Sequence, residues 1–179
     1  MKALVFILLY SLPVLCFGQS ESYSLKVNFY PSFHYPSNLK IKNTVDSCYI
    51  RFAFQIDSTG KQFKQSKRIK HSSLTSLTTF LKTYKFQIKG NVDTISVTHQ
   101  PQKNDEDWIV YHIDAGTDGI TAEGEFNQQK STKKFKFWSP KKNSENEKLI
   151  KLLFDLMDNT FKQKKIVAYL DTLKWYYKN

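Results

Sequence analysis

Residues 108–138, WIVYHIDAGTDGITAEGEFNQQKSTKKFKFW, carry the pattern that decides the fold class. Apolar and polar side chains alternate in three successive runs, and a period of two is typical of β-strands with one buried and one exposed face. The links between the runs are short, so we expect three consecutive antiparallel strands that pair as a meander. The first two strands would form a hairpin around the Asp118-Gly119 turn.

The stretch DAGTDGITAEGE (114–125), which contains the first link and the start of the second run, also resembles a calcium-binding EF-hand loop. Such a loop needs acidic ligands at positions 1, 3 and 5, glycine at 6 and glutamate at 12, with helices on both sides. Position 3 is Gly116, and both flanks alternate as strands. We therefore predict a hairpin turn and no metal site. A looser interstrand calcium site that uses Asp114 and Asp118 is the alternative that the pattern leaves open.

Upstream of the meander, four more runs have the composition and alternation of strands. A loop is expected at 30–38, where two prolines interrupt the pattern, and a turn at 57–60, where a glycine can adopt a positive φ. One internal helix is predicted from Leu74, because apolar residues recur at helical spacing as far as Tyr84. The four predicted strands span residues 23–30, 48–57, 61–70 and 92–97.

Two helices are expected to close the chain. Ser144 and Glu147 fit the S-x-x-E capping box of a helix N-terminus, and a stripe of apolar residues follows. The helical pattern restarts after 159–162. Strands that neighbour strands and helices that neighbour helices indicate an α+β fold. It would contain an antiparallel sheet of about six strands, one internal helix and two C-terminal helices packed on one face.

The N-terminus has the pattern of a secretory signal peptide. Residues 1–20, MKALVFILLYSLPVLCFGQS, combine one lysine, an apolar run over 3–15 and small residues near a cleavage point after Gly18. We expect residues 1–18 to be removed and residues 19–179 to form a single domain. The mature protein would then be periplasmic in a bacterium, or secreted.

Two other interpretations of the N-terminus are less well supported. The apolar run is shorter than the roughly 20 residues that a membrane-spanning helix needs, and no second run is long enough. Lipid attachment at Cys16 is disfavoured because Leu15, rather than a small residue, precedes it. Only Cys48 would remain after cleavage, so we expect a buried structural thiol and no disulfide within the chain.

The charge of the chain indicates anionic partners. The formal net charge is +11, and all but two of the 27 basic residues are lysine. Polysaccharides, lipid headgroups and acidic proteins would all be attracted. Nucleic acid is disfavoured, because its recognition relies on arginine and because an exported protein does not meet it. We expect an acidic protein, bound through Lys130, Lys133, Lys134, Lys136, Lys141 and Lys142.

An aromatic loop offers a second candidate binding surface. Tyr30, Phe33 and Tyr35 lie within the proline-containing segment at 30–38. Tyrosine supplies a large contact area at a low cost in conformational entropy. The same side chains could instead pack over the edge of the core, and the sequence leaves both interpretations open.

One group of side chains could support acid–base chemistry. His112 and Asp114 share a face of one predicted strand, and Glu123 and Glu125 could point towards them from the next. A polar outer face of a hairpin explains the same residues more simply. The chain contains no nucleophile elbow, no glycine-rich phosphate loop and no histidine–cysteine motif for a metal. We therefore predict no cofactor.

The run DGITAEGEFNQQKSTKKFKFWSP, followed by a capped helix and a second helix, resembles small uncharacterised exported bacterial proteins. It also looks like some toxin-neutralising immunity proteins, over residues 108–177. The likeness lies in D-G and F-W-S-P, which are turn and packing residues, so it implies no site residue. Our first hypothesis is an exported, non-enzymatic binding protein, such as an inhibitor or immunity protein. The rival is a small secreted hydrolase or ligand-binding enzyme that uses the His112 group.

Overall fold

The computed structural model of the chain describes residues 22–88 and 119–178, together with the backbone of residues 95–100 and 108–113. No helix in this described part is long and apolar enough to cross a membrane. The strands are β1 (Tyr23–Pro31), β2 (Ser37–Asn43), β3 (Cys48–Gln55), β4 (Gln62–Arg68), β5 (Ile95–Gln100), β6 (Trp108–Ile113), β7 (Ile120–Gln128) and β8 (Ser131–Trp138). A 3₁₀ helix (His71–Leu74) precedes α1 (Thr75–Thr83), and the chain continues with α2 (Glu145–Thr160) and α3 (Lys164–Lys178).

Six of these strands form one antiparallel sheet in the order β4-β3-β2-β1-β7-β8, and β5 pairs with β6 in a separate two-stranded sheet. One internal α-helix and two C-terminal α-helices accompany the six-stranded sheet. The predicted α+β fold is therefore confirmed, including the number of strands in the main sheet. The predicted signal peptide lies outside the described residues.

The pairing of the predicted meander differs from our expectation. β7 lies between β1 and β8, so both of its edges are occupied, and β6 pairs with β5 instead. The predicted hairpin between the first two runs is therefore wrong, whereas the hairpin of β7 and β8 is confirmed. Alternation shows which residues share a face of a strand, but the partner of a strand depends on packing far along the chain.

The expected loop at 30–38 ends earlier than predicted. β2 begins at Ser37 and runs antiparallel to both β1 and β3. Leu39 and Ile41 are its only large apolar residues, which makes a short strand of this kind hard to recognise in isolation. Its insertion places β1 at the centre of the sheet.

The hydrophobic core lies between one face of the sheet and the helices. Alternate side chains of the central strands are buried there, as the two-residue period requires. Phe52 on β3 contacts Phe161 after α2 and Tyr169 on α3, with ring centroids 6.1 and 6.0 Å apart. The buried sheet residues on this face include Leu25, Val27, Phe29, Leu39, Ile41, Ile50, Phe52, Ala122, Phe126, Phe135 and Phe137.

The N-terminus of α2 confirms one half of the predicted capping box. Ser144 is the N-cap, and its Oγ accepts a hydrogen bond from the backbone N–H of Glu147 at 3.1 Å. The carboxylate of Glu147 accepts from the N–H of Asn143 at 2.5 Å, one residue before the position that the motif predicts. The helix begins where the sequence indicates, because both side chains satisfy backbone donors at its start.

Candidate functional site

The face of the six-stranded sheet opposite the helices, here called the open face, is rich in cations. On β1 to β4, the side chains that alternate with the core residues are polar or basic except for Ala53, and these four strands contain no acidic residue. The basic residues of the open face on these strands are Lys26, Lys40, Lys42, Arg51, Lys64 and Arg68.

Three of these cations form a row across adjacent strands. Lys26 on β1 is directly opposite Lys40 on β2, and Lys40 is directly opposite Arg51 on β3. Neighbouring strands lie roughly 4.8 Å apart, so the row concentrates three positive charges in a short distance. Like charges that face each other across strands destabilise a sheet. The row is therefore unfavourable for folding by itself.

The row has little compensation from acidic residues within the described part of the chain, where none of its three cations lies within 4.0 Å of a carboxylate. On its other side Lys26 faces Glu125 of β7. The carboxylate of Glu125 lies 3.5 Å from the ammonium of Lys134. Positive charge on this part of the open face is thus left for other anions.

A shallow hollow of about 350 Å³ adjoins the row. Ala53 of β3 lies between Asn38 of β2 and Lys64 of β4 in the sheet register, and its small side chain leaves a depression among longer neighbours. The hollow is lined by side chains that can donate hydrogen bonds to an anion. They include Lys26, Asn28, Tyr30, Asn38, Lys40 and Arg51.

A chain of hydrogen bonds holds the polar side chains beside this hollow. The amide nitrogen of Asn38 donates to Asn28 Oδ1 at 2.5 Å, and the amide nitrogen of Asn28 donates to Glu123 Oε1 at 3.4 Å. The hydroxyl of Tyr30 donates to the same Glu123 oxygen at 2.8 Å. Partial burial, and then this hydrogen bond, raise the pKa of the Tyr30 phenol. These hydrogen bonds limit the rotamer freedom of the side chains that line the hollow, so that binding a ligand costs less conformational entropy.

The predicted acid–base group is not brought together by the described part of the structure. Glu123 and Glu125 lie on the open face, directly opposite Lys136 and Lys134 of β8. The backbone of His112 lies on β6, which pairs with β5, and its side chain is outside the described residues, as is Asp114. Glu125 therefore forms a cross-strand ion pair with Lys134, whereas Glu123 accepts hydrogen bonds from Tyr30 and Asn28.

The described residues contain no group of three or more histidine, cysteine, aspartate or glutamate side chains that could hold a metal ion. The looser calcium site at Asp114 and Asp118, which the sequence left open as an alternative, falls outside those residues. Gly119, the last residue of the predicted turn, is described. An added Cβ there would lie 2.3 Å from Ser139 Oγ and 2.6 Å from the Trp138 ring. Glycine is required at 119 by close packing, since its φ is not in the left-handed region.

The six lysines predicted to form one binding patch are distributed over different surfaces. Lys134 and Lys136 lie on the open face, whereas Lys133 points to the opposite side, with its ammonium 5.4 Å from the Phe86 ring centroid. Lys130 precedes β8, and Lys141 and Lys142 follow it. The eight residues of β8 span roughly 25 Å. Proximity in sequence thus does not make these lysines one patch.

The residues that sequence reasoning missed are Lys26, Lys40, Lys42 and Arg51. They are far apart in the sequence, and the prediction did not recognise β2, which joins them. Their one sequence signal is that each occupies a polar position between apolar residues of a strand. The structure also places both arginines of the chain, Arg51 and Arg68, on the open face.

A larger cleft, of about 810 Å³, lies between the end of β4, α1 and α2. Two of its three cations, Lys67 and Arg68, are already engaged in structural contacts. The ammonium of Lys67 donates to the carbonyl oxygen of Thr160 at the end of α2, at 2.8 Å, and the guanidinium of Arg68 donates to the Asp46 carbonyl at 3.2 Å. Asp155 adds a negative charge to the lining. The open face is therefore the stronger candidate for binding an anion.

Comparison with known proteins finds no matching family model, no similar curated protein and no similar solved structure. The resemblance to immunity proteins stays a prediction, and the function has to be argued from the open face itself.

Proposed function

We propose that this chain is an exported, non-enzymatic binding protein that docks an acidic partner protein on the open face. The observation that carries the proposal is the row of Lys26, Lys40 and Arg51 in register on three adjacent strands. An arrangement that is unfavourable for folding is expected at functional positions, where a partner supplies the missing compensation. Carboxylates of the partner would supply that compensation here.

The chemistry of the open face favours carboxylates on a protein. The guanidinium of Arg51 can hold a carboxylate with two parallel hydrogen bonds, and the neighbouring ammonium groups of Lys26 and Lys40 add charge. Tyrosine and arginine are enriched in protein interfaces, and Tyr30 lies beside the row in the wall of the hollow. The positive field would also accelerate the encounter with an acidic surface.

The rival hypothesis of a small hydrolase or ligand-binding enzyme depends on His112 and Asp114, whose side chains lie outside the described residues. Its other two residues, Glu123 and Glu125, would have to be free to act as acid and base. Each of these two glutamates instead faces a lysine across the strand pair. We therefore retain the binding protein as the proposal, with an inhibitor or immunity factor as its most specific form.

The proposal can be tested with poly-L-glutamate as a model of an acidic protein surface. The test variant reverses the row (K26E/K40E/R51E), and the matched control reverses three exposed lysines on the helices (K148E/K164E/K178E), so that both have the same net charge. We expect salt-sensitive binding by the wild type, a loss of at least about tenfold in the test variant and a much smaller loss in the control. Calorimetric titration gives the affinities.

Two results would contradict the proposal. Equal loss of binding in both variants would mean that only net charge matters and that the open face has no special role. Binding to heparin or to phosphatidylglycerol vesicles, without binding to poly-L-glutamate, would show that the partner is a polysaccharide or a membrane rather than an acidic protein.

A further inference from the structure

The loop between β1 and β2 presents an apolar side chain to solvent. Phe33 is 72% exposed, more than any other large hydrophobic residue of the described chain, whereas Tyr30 and Tyr35 are 41% and 39% exposed. An aromatic side chain of this size buries about 150–250 Å² when a core or an interface covers it completely. Single exposed apolar residues are common on protein surfaces, so the contacts of the loop decide whether Phe33 is held in place.

The residue before Phe33 is fixed to the start of β7. The backbone N–H of Ser32 donates to the carbonyl oxygen of Gly119 at 3.0 Å. The hydroxyl of Ser32 lies 3.1 Å from the same oxygen and also 3.1 Å from the Gly119 nitrogen. This pairing fixes one side of the loop to the rigid sheet.

The residues after Phe33 are fixed to α3 and β3. The Nδ1 atom of His34 lies 3.0 Å from the Tyr176 hydroxyl, and the two rings make an edge contact at 5.4 Å. The hydroxyl of Tyr169 donates to the carbonyl oxygen of Tyr35. The carbonyl of Pro36 accepts from the Gln55 N–H at 3.1 Å.

These contacts give the loop a defined shape, so the exposure of Phe33 is not the result of a loosely held segment. A side chain that is already positioned loses little conformational entropy when a partner covers it. The binding energy of an interface is concentrated in a few anchor residues, usually large aromatic or arginine side chains that fill pockets of the partner.

The loop also borders the open face. Tyr30 and Pro36, at the two ends of the loop, line the hollow beside the cation row. Phe33 is three residues from each of them, so its Cα lies within about 11 Å of both. One interface of standard size, about 800 Å² on each partner, would cover Phe33 and the row together.

We propose that Phe33 is the aromatic anchor of the docking site, inserted into an apolar depression of the partner that is flanked by carboxylates. This inference rests on the proposed function, since the cation row supplies the acidic character of the partner. A second copy of this chain is not the occupant, because a symmetric contact through this surface would bring the two rows of cations together.

The test uses two peptides of equal charge. One alternates glutamate and serine over its whole length, and the other carries leucine in place of the serines at one end. We expect wild-type protein to bind the leucine-bearing peptide at least about fivefold more tightly. Phe33→Ala should remove this preference, so that the two peptides bind with equal affinity. Phe33→Trp should retain the preference.

Val45→Ala is the matched control. Val45 is 65% exposed and lies beyond the far end of β2, roughly 25 Å from the loop, so both affinities should stay at the wild-type values. If Phe33→Ala keeps the preference, the anchor is wrong, although the cation row can still bind. If the wild type binds neither peptide, the proposed function itself fails. Equal melting temperatures of the variants would show that their folds are intact.

Discussion

Two neighbouring residues of β3, Arg51 and Phe52, lie on opposite faces of the sheet and have opposite surroundings. Phe52 is fully buried against the Phe161 and Tyr169 rings. Arg51 is exposed and faces Lys40, a residue of like charge. The same two-residue period thus builds a core-facing surface of packed apolar side chains and an open face whose central contacts, between like charges, oppose folding. We infer that folding selects the first pattern and binding the second.

The largest expected difference between the two faces is in stability. Phe52→Ala should lower the free energy of unfolding by about 3–5 kcal/mol, because it removes buried aromatic contacts and leaves a cavity. Arg51→Ala should change it by no more than about 0.5 kcal/mol, as is usual for exposed positions. Urea denaturation of both variants measures the difference. Similar losses in the two variants would contradict the division of the sheet into two faces.

Gly119, just before β7, is closely packed against the side chains of Ser139 and Trp138. Gly119→Ala should lower the free energy of unfolding by about 1–3 kcal/mol, because the added Cβ would overlap Ser139 and Trp138. Gly60→Asn is the control. Gly60 has a φ of 83° and open space around it, and asparagine tolerates this conformation. Thermal unfolding measures both, and a loss confined to Gly60→Asn would refute the packing explanation.

Alkaline pH tests the burial of the core-facing surface. Burial raises the pKa of Cys48 to about 11 and the pKa values of Tyr23 and Tyr169 to about 12. The folded state therefore holds these protons more tightly than the unfolded chain, whose values are 9.0 and 10.0. Stability should be complete below about pH 9 and should fall as the pH rises towards 12.

Melting temperatures between pH 7 and 11.5 measure this decline. In Cys48→Ala the decline between about pH 9 and 11 should be shallower than in the wild type, because that variant lacks the thiol that titrates first. An unchanged slope would show that Cys48 is not the group responsible.

The core-facing surface of the sheet was easier to predict from the sequence than the open face. Alternation along β7 and β8 separated the buried from the exposed residues, and alternation or apolar composition marked β1 and β3 as strands, because the hydrophobic effect acts on each strand locally. The capping box located the start of α2 for a similarly local reason. The pairing of β6 was wrong, and β2 was missed, because partner choice depends on contacts between distant segments.

The candidate site was less predictable, and for the same physical reason. Lysines that are adjacent in sequence, such as Lys133 and Lys134, point to opposite faces of β8. Lys26, Lys40 and Arg51 meet only because β2 lies between β1 and β3. In a β-sheet, a cluster of charges consists of the charged residues that share one face of neighbouring strands, and these can be far apart in the sequence. The aromatic loop is a local feature that composition alone reveals, and Phe33 is exposed there; its role in binding stays a proposal.

The most direct test of the central claim is Lys40→Glu, measured for stability and for binding in the same protein. A glutamate at position 40 would face Lys26 and Arg51, with Lys42 two residues along the strand. We predict that the free energy of unfolding rises by about 0.2–1 kcal/mol, while the affinity for poly-L-glutamate falls roughly tenfold. A variant that loses stability, or that binds as tightly as the wild type, would contradict the claim that the open face is organised for an acidic partner rather than for folding.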